Sequence, residues 1–203
     1  QIQLLDDSTD MTTAVAAAAA THLAMTGYDI MLLHRDRRDG YKAGALQAGL
    51  AHARGELIAI FDADFCPPPD FLSRIVPQFA ANANLAIVQA RWSPLNADTS
   101  ALTGAQAIAL DKHFAIEQPV RDRAQLFPKF NGAAGLLPRS AVDAIGGWHA
   151  ATVCEDLCLS TRAVLAGWDV RYLSDISAAA ELPATLAAYR AQQERWAKGS
   201  LQC

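Results

Sequence analysis

Residues Leu57 to Asp64 read Leu-Ile-Ala-Ile-Phe-Asp-Ala-Asp, a short apolar run that ends in two carboxylates one residue apart. Side chains of an extended chain alternate faces, so Asp62 and Asp64 are expected to point the same way. Two anions held side by side repel each other and lose hydration, a cost that a divalent cation would offset. Capping of a turn or of the next helix is the other reading of such aspartates.

Four more clusters carry chemically useful groups. Asp6-Asp7-Ser8-Thr9-Asp10 follows the first apolar run; it reads either as an acidic helix cap or as a site where one of Asp6 and Asp7 accepts hydrogen bonds from a nucleotide's base or ribose. Lys42 stands at the first turn of a predicted helix, where a cation opposes the helix dipole and calls for a nearby anion such as a diphosphate, unless it is simply solvated. Glu155 and Asp156 open another helix, where the dipole favours carboxylates. An aspartate beside a second carboxylate also gains proton affinity and suits a general base. Gln192, Arg195 and Trp196, spaced three and four apart, share one helical face. An Arg there suits a diphosphate and an indole the flat face of a sugar, although Arg packed over Trp is also ordinary surface structure.

The elements that must position these groups alternate. Strand patterns at Gln1 to Leu5, Ile30 to His34, Leu57 to Asp62 and Leu85 to Gln89 are separated by helical patterns at Met11 to Met25, Lys42 to Ala53 and Phe71 to Phe79. In the last, Phe71, Leu72, Ile75, Val76 and Phe79 make one apolar face. Such alternation predicts an α/β fold with a mostly parallel sheet flanked by helices, whose ligands gather beyond the carboxyl ends of the strands. Further on, Thr99 to Glu117 is predicted helical and Phe130 to Leu137 a glycine-punctuated strand. Glu155 to Ala166 is predicted as a helix ended by Gly167, Asp169 to Leu173 as a strand, and Pro183 to Lys198 as a helix with proline at its start. With no linker or repeat, residues 1–203 read as one domain.

Composition narrows the classes. The chain has 203 residues, 52% of them hydrophobic, enough for a sizeable core. A formal net charge of -4 without a basic block argues against nucleic acid as a partner. Cys66, Cys154, Cys158 and Cys203 lack zinc-site spacing and read as free thiols. No apolar stretch is long enough to span a bilayer. The chain opens directly on a strand and stops just after a helical pattern, and so reads as an excerpt from a longer protein, truncated at both ends.

Taken in order, Asp-Asp-Ser, Lys-Ala-Gly, Asp-Ala-Asp, Cys-Glu-Asp and Gln-x-x-Arg-Trp resemble the catalytic region of a processive family 2 glycosyltransferase of the cellulose-synthase-like type. Val88-Gln89-Ala90-Arg91-Trp92, Phe130-Asn131-Gly132, Gly146-Gly147-Trp148 and Ala197-Lys198-Gly199-Ser200 resemble its glucomannan-synthase-like branch. The resemblance covers essentially the whole chain. It implies a GT-A fold, an inverting mechanism, a nucleotide-sugar donor of the UDP-glucose or GDP-mannose type, and Mg²⁺ or Mn²⁺. By the same resemblance, Asp6 or Asp7 would contact the base and Lys42 the diphosphate. Asp62 and Asp64 would hold the metal with its phosphates, and Asp156 would be the catalytic base. Glu155, Gln192, Arg195 and Trp196 would serve the acceptor and diphosphate. The implied acceptor is a growing β-linked glycan, with single addition to a lipid acceptor, or a non-catalytic nucleotide-sugar-binding subunit, as rivals. The implied location is the cytoplasmic face of a membrane, reached through segments outside this chain. Cys154 stands where the family commonly has Thr, which keeps a small side chain but weakens its hydrogen bonding. The family's first strand is absent, since Gln1 already matches the second.

Overall fold

The computed structural model describes residues 1–203. Its strands are β1 (Ile2–Asp6), β2 (Ile30–His34), β3 (Leu57–Ile60), β4 (Leu85–Pro94), β5 (Gly135–Pro138) and β6 (Asp169–Ala180). The α-helices are α1 (Thr12–Met25), α2 (Tyr41–His52), α3 (Phe71–Ile75), α4 (Pro77–Ala81), α5 (Ala101–Asp111), α6 (Gln118–Arg123), α7 (Arg139–Ala144), α8 (Glu155–Leu165) and α9 (Leu186–Gln202). Between α5 and α6, Lys112–Glu117 is wound as π-helix.

The strands form two sheets rather than one. β1 and β2 pair in parallel, and the other four lie in the order β3-β5-β4-β6. Within the larger sheet β4 and β6 are parallel, while β5 runs antiparallel to both β3 and β4. β3, β4 and β6 therefore run the same way and end at the same edge. Apolar clusters cover both faces of this sheet. Leu137, Ile60, Ile87 and Val170 pack with Ala43 and Leu50 of α2, Val142 of α7 and Leu159 of α8. Leu136, Val88 and Ala178 pack on the other side with Phe71 and Ile75 of α3. Leu136 and Leu137 are neighbours facing opposite ways, which is the two-residue period of a strand covered on both sides.

Several boundaries differ from expectation, each for a local reason. The helix expected over Phe71 to Phe79 breaks before Pro77, which has no N–H to continue it and starts α4. Of its expected apolar face, Leu72 and Val76 are exposed. The expected Thr99 to Glu117 helix begins at Ala101, because Ser100 and Thr103 form a reciprocal capping box. The last helix begins at Leu186 rather than Pro183, because the Thr185 side chain accepts the Ala188 N–H at 3.3 Å. β4 and β6 outrun their apolar cores, to Pro94 and Ala180, because they pair with each other across a register shift beyond Ala90. The expected strand over Phe130 to Leu137 shrinks to Gly135–Pro138 and β3 stops at Ile60, because Gly132 and Ala134 take positive φ values of 86° and 53° and bend the chain out of the ladder.

Candidate active site

The carboxyl ends of β3, β4 and β6 open into a cleft of about 1240 Å³. Asp62 and Asp64 follow β3, Trp92 to Pro94 close β4, and Glu181 follows β6. Of the residues singled out in the sequence, Lys42, Asp62, Asp64, Glu155, Asp156, Gln192, Arg195 and Trp196 all line it, whereas Asp6 and Asp7 do not. Asp62 and Asp64 both line the cleft from the turn after β3, in which the Phe65 N–H bonds the Asp62 carbonyl at 3.0 Å, rather than from the strand itself, which ends at Ile60. The Cys66 N–H then donates to the Ala179 carbonyl at 2.7 Å, tying this turn to the end of β6.

Lys42 sits at the centre of the charges. Its ammonium donates to Asp62 and to the Gly132 carbonyl at 3.1 Å, and lies 3.9 Å from Glu155. Protein carboxylates thus stand opposite the cation at this helix start. Lys42 is placed by the turn before it, where Arg35 donates to the carbonyls of Asp39 and Tyr41 at 3.0 Å. Arg35 is in turn gripped by both oxygens of Asp7, at 2.7 and 2.5 Å. Asp6 is 8% exposed and bonded by the Ser8 N–H, the Thr13 hydroxyl and His34 at 3.0, 2.7 and 2.8 Å. Hydrogen bonding from Ser8 foremost, aided by Thr13 and His34, holds its carboxyl well below the usual range. Both aspartates thus have intramolecular partners and brace the end of β1.

Asp156 lies at the start of α8 with its Oδ1 accepting the Leu157 N–H at 2.8 Å. Burial raises its proton affinity, with the negative charge of Asp62 adding to the effect and Lys42 opposing it. Glu155 is raised by burial and then by the neighbouring Asp156. The Asp156 Oδ2 faces Gly132 so closely that a Cβ on that glycine would lie 3.0 Å from it. A carboxylate with one oxygen tied and its affinity raised is suited to accept a proton in the cleft.

Asp64 has no hydrogen-bond or ion-pair partner; desolvation, then the charges of Asp62 and Glu181, raises its proton affinity. No three His, Cys, Asp or Glu side chains converge to enclose a metal. A divalent ion between Asp62 and Asp64 would therefore take its other ligands from phosphate oxygens and water, which is how Mg²⁺ is usually held by few carboxylates. The donor set fits an ion that arrives with a phosphorylated substrate.

α9 carries Gln192, Arg195 and Trp196 to the cleft, and Tyr189 joins them. It is held close to α8 at Cys154, whose buried thiol lies against Gly199. Burial, with Asp156 and Glu155 adding, pushes this thiol up to about 11, so it stays protonated and inert. Sequence reasoning missed Glu181, His113 and Asn131 as cleft residues. Glu181 had no usable signal in the sequence, because it reaches this sheet edge only through the extension of β6 from Leu173 to Ala180.

The model of the family described as Glycosyltransferase like family 2 matches residues 3–199. The chain belongs to this family. It is 45% identical over 202 residues to glucomannan 4-beta-mannosyltransferase 1 of Oryza sativa subsp. japonica and to glucomannan 4-beta-mannosyltransferase 2 of Arabidopsis thaliana. These alignments cover 98% of this chain but 39% and 38% of the relatives, so the chain spans well under half of their length. Among solved structures, mannosyltransferase PcManGT from Pyrobaculum calidifontis, in complex with GDP-Man and Mn2+, superposes with a TM-score of 0.71 at 22% identity, covering 98% of this chain and 52% of that one. S. aureus TarS 1-349 superposes with a TM-score of 0.62 at 14% identity, over 89% of this chain and 51% of that one. These likenesses give the family 2 glycosyltransferase a GT-A type fold. Its cleft lies where that architecture puts ligands, beyond the carboxyl ends of like-directed strands.

Proposed function

We propose that residues 1–203 form the catalytic domain of an inverting hexosyltransferase that moves a sugar from a nucleotide-sugar donor to a growing β-linked polysaccharide. The observation that carries this reading is the grouping of a half-buried carboxylate of raised proton affinity, Asp156, a central cation, Lys42, and an unpartnered carboxylate, Asp64, in one cleft. The 45% identity to glucomannan 4-beta-mannosyltransferases supports mannose as the sugar moved, and the GDP-Man bound by the similar fold of PcManGT supports GDP-mannose over UDP-glucose as donor.

In this reading Asp156 takes the proton of an acceptor hydroxyl as that oxygen forms a bond to the anomeric carbon. The bond to the diphosphate breaks on the opposite face, so an α-linked donor gives a β-linked product. Lys42 exchanges its contacts with Asp62 and Glu155 for the diphosphate, and Arg195 approaches it from α9. A divalent ion, Mg²⁺ or Mn²⁺, held by Asp62 and Asp64 would neutralise charge developing on the leaving group. Trp196 and Tyr189 offer flat surfaces for the acceptor glycan. No helix here is long and apolar enough to cross a membrane, so the proposed place at the cytoplasmic membrane face depends on segments outside this chain.

The test is a donor panel with the full-length protein in membranes, reading nucleotide release and product length. GDP-mannose turnover that stops with a chelator, returns with Mn²⁺ or Mg²⁺, and yields a ladder of products is the expected result. A single product band would instead mean one addition per acceptor, and metal-dependent donor binding without turnover would mean a binding subunit.

A further inference from the structure

We propose that His113, held by Glu117, is a positioning residue for Asp156 that acts through Asn131 and Gly132; the inference rests on the reading of Asp156 as the base. The Gly132 backbone touches both working groups. Its φ of 86° and missing Cβ let it lie against the Asp156 Oδ2, while its carbonyl accepts from Lys42 at 3.1 Å. The Asn131–Gly132 peptide is thus the wall against which the Asp156 Oδ2 packs, whereas Lys42 keeps Asp62 and Glu155 as further partners.

Donor and acceptor bookkeeping fixes that peptide as one chain of hydrogen bonds. Gln118 is fully buried, and its Oε1 must face the Lys129 N–H, which donates to it at 2.9 Å. Its Nε2 therefore points at the Lys129 carbonyl and at the Asn131 Oδ1, at 2.7 and 2.8 Å. With Oδ1 so engaged, the Asn131 Nδ2 donates to the His113 Nε2 at 3.1 Å, shorter than the 3.4 Å between that nitrogen and Oδ1. The His113 Nε2 must then be an acceptor, which places the ring proton on Nδ1, where the Glu117 Oε2 accepts it at 3.0 Å. Backbone support comes from Gln89, 0% exposed, whose Oε1 accepts the Asn131 N–H at 2.8 Å.

His113 lines the cleft from the π-helical turn Lys112–Glu117. Such turns are uncommon and recur at functional sites. This one is pinned to the core, because Phe114 is buried between Trp92 and Tyr172 and its carbonyl accepts the Tyr172 hydroxyl at 2.5 Å. A rigid anchor, an oriented imidazole, an oriented amide and a glycine thus lead in sequence to the Asp156 carboxylate. The Glu117-to-His113 pair serves to hold the imidazole in the tautomer that Asn131 needs.

The test compares His113→Ala and His113→Gln in the full-length protein with GDP-mannose, measuring kcat and donor KM separately. His113→Ala leaves Asn131 with an unpaired amide and should lower kcat by about 100-fold, the size of effect that misplacing a reacting group by 1 Å produces. Donor KM should stay within about twofold, since the donor is held by groups other than Asp156. Gln can present its Oε1 where the His113 Nε2 stood, so His113→Gln should recover most of kcat. Wild-type kcat in His113→Ala, equal damage in both variants, or a loss confined to donor KM would overturn the inference. A wild-type protein without turnover, or full turnover by Asp156→Asn, would overturn the reading of the base on which it rests.

Discussion

At the scale of single residues, the cleft sets cost against use. Asp156 is a carboxylate at a helix start, which the dipole favours, yet burial raises its proton affinity. If it is the base, transfer must rise with pH as it loses its proton, with the acid limb displaced above the ordinary carboxylate range. Asp156→Asn should keep donor binding within about twofold and reduce transfer by about 1,000-fold or more, since one isosteric change removes the proton acceptor. Equilibrium dialysis with labelled donor beside a turnover assay checks both halves. Near-normal transfer would sink the assignment. Lys42 is the counterpart: if it takes up the donor diphosphate as proposed, Lys42→Met should raise donor KM at least as much as it lowers kcat.

At the scale of elements, the two walls of the cleft depend on how α9 sits on the start of α8. A Cβ at Gly199 would lie 2.1 Å from the Cys154 Sγ, 2.6 Å from its Cβ and 3.0 Å from its backbone nitrogen. Gly199→Ala should therefore displace α9 and carry Arg195 and Trp196 with it, at an overpacking cost of about 1–3 kcal/mol. The expected outcome is a lower melting temperature and a raised acceptor KM. Adding Cys154→Ala removes the thiol but not the Cβ or the backbone, so the double variant should recover only part of the loss. The element scale also shows what local sequence could reach. The Lys42, Glu155 and Gln192-to-Trp196 helices were legible because a charge or an aromatic at a helical spacing is a local signal. The β4 and β6 extensions and the shortened β5 were not. Their ends are set by cross-strand partners far away in sequence and by positive φ at Gly132 and Ala134.

For the whole molecule, the cleft collects carboxylates that fold poorly when charged. Asp156, Glu155 and Asp64 all have raised proton affinities. A folded-state value above the unfolded one gives stability that is present below the ordinary carboxylate range and lost as pH rises through the shifted value. Asp6 and Glu117, both lowered, act oppositely and lose their contribution on acidification. Asp156→Asn should therefore raise the melting temperature at pH 7, by roughly 2–4 °C for each kcal/mol relieved in a domain of this size, with the gain fading towards pH 4. Thermal unfolding of wild type and variant across that range checks the sign. A gain that grows on acidification would contradict it.

The amino-acid sequence by itself determined the chemical inventory, its order along the chain and the α/β class, because residue type, helical spacing and strand period are local properties. It placed Lys42, Asp62, Asp64, Asp156 and Arg195 in one site through their resemblance to a family, and the structure gathers them in one cleft. Only the tertiary structure decided who touches whom. Lys42 meets Asp62 from 20 residues away and Gly132 from 90. Both oxygens of Asp7 accept from Arg35, and the His113 imidazole bonds the Asn131 amide, whose neighbour Gly132 lies against Asp156. Hydrogen-bond partners and close approaches of this kind depend on how strands end at a shared edge and on which buried amide satisfies which backbone group. No window of local sequence contains that information.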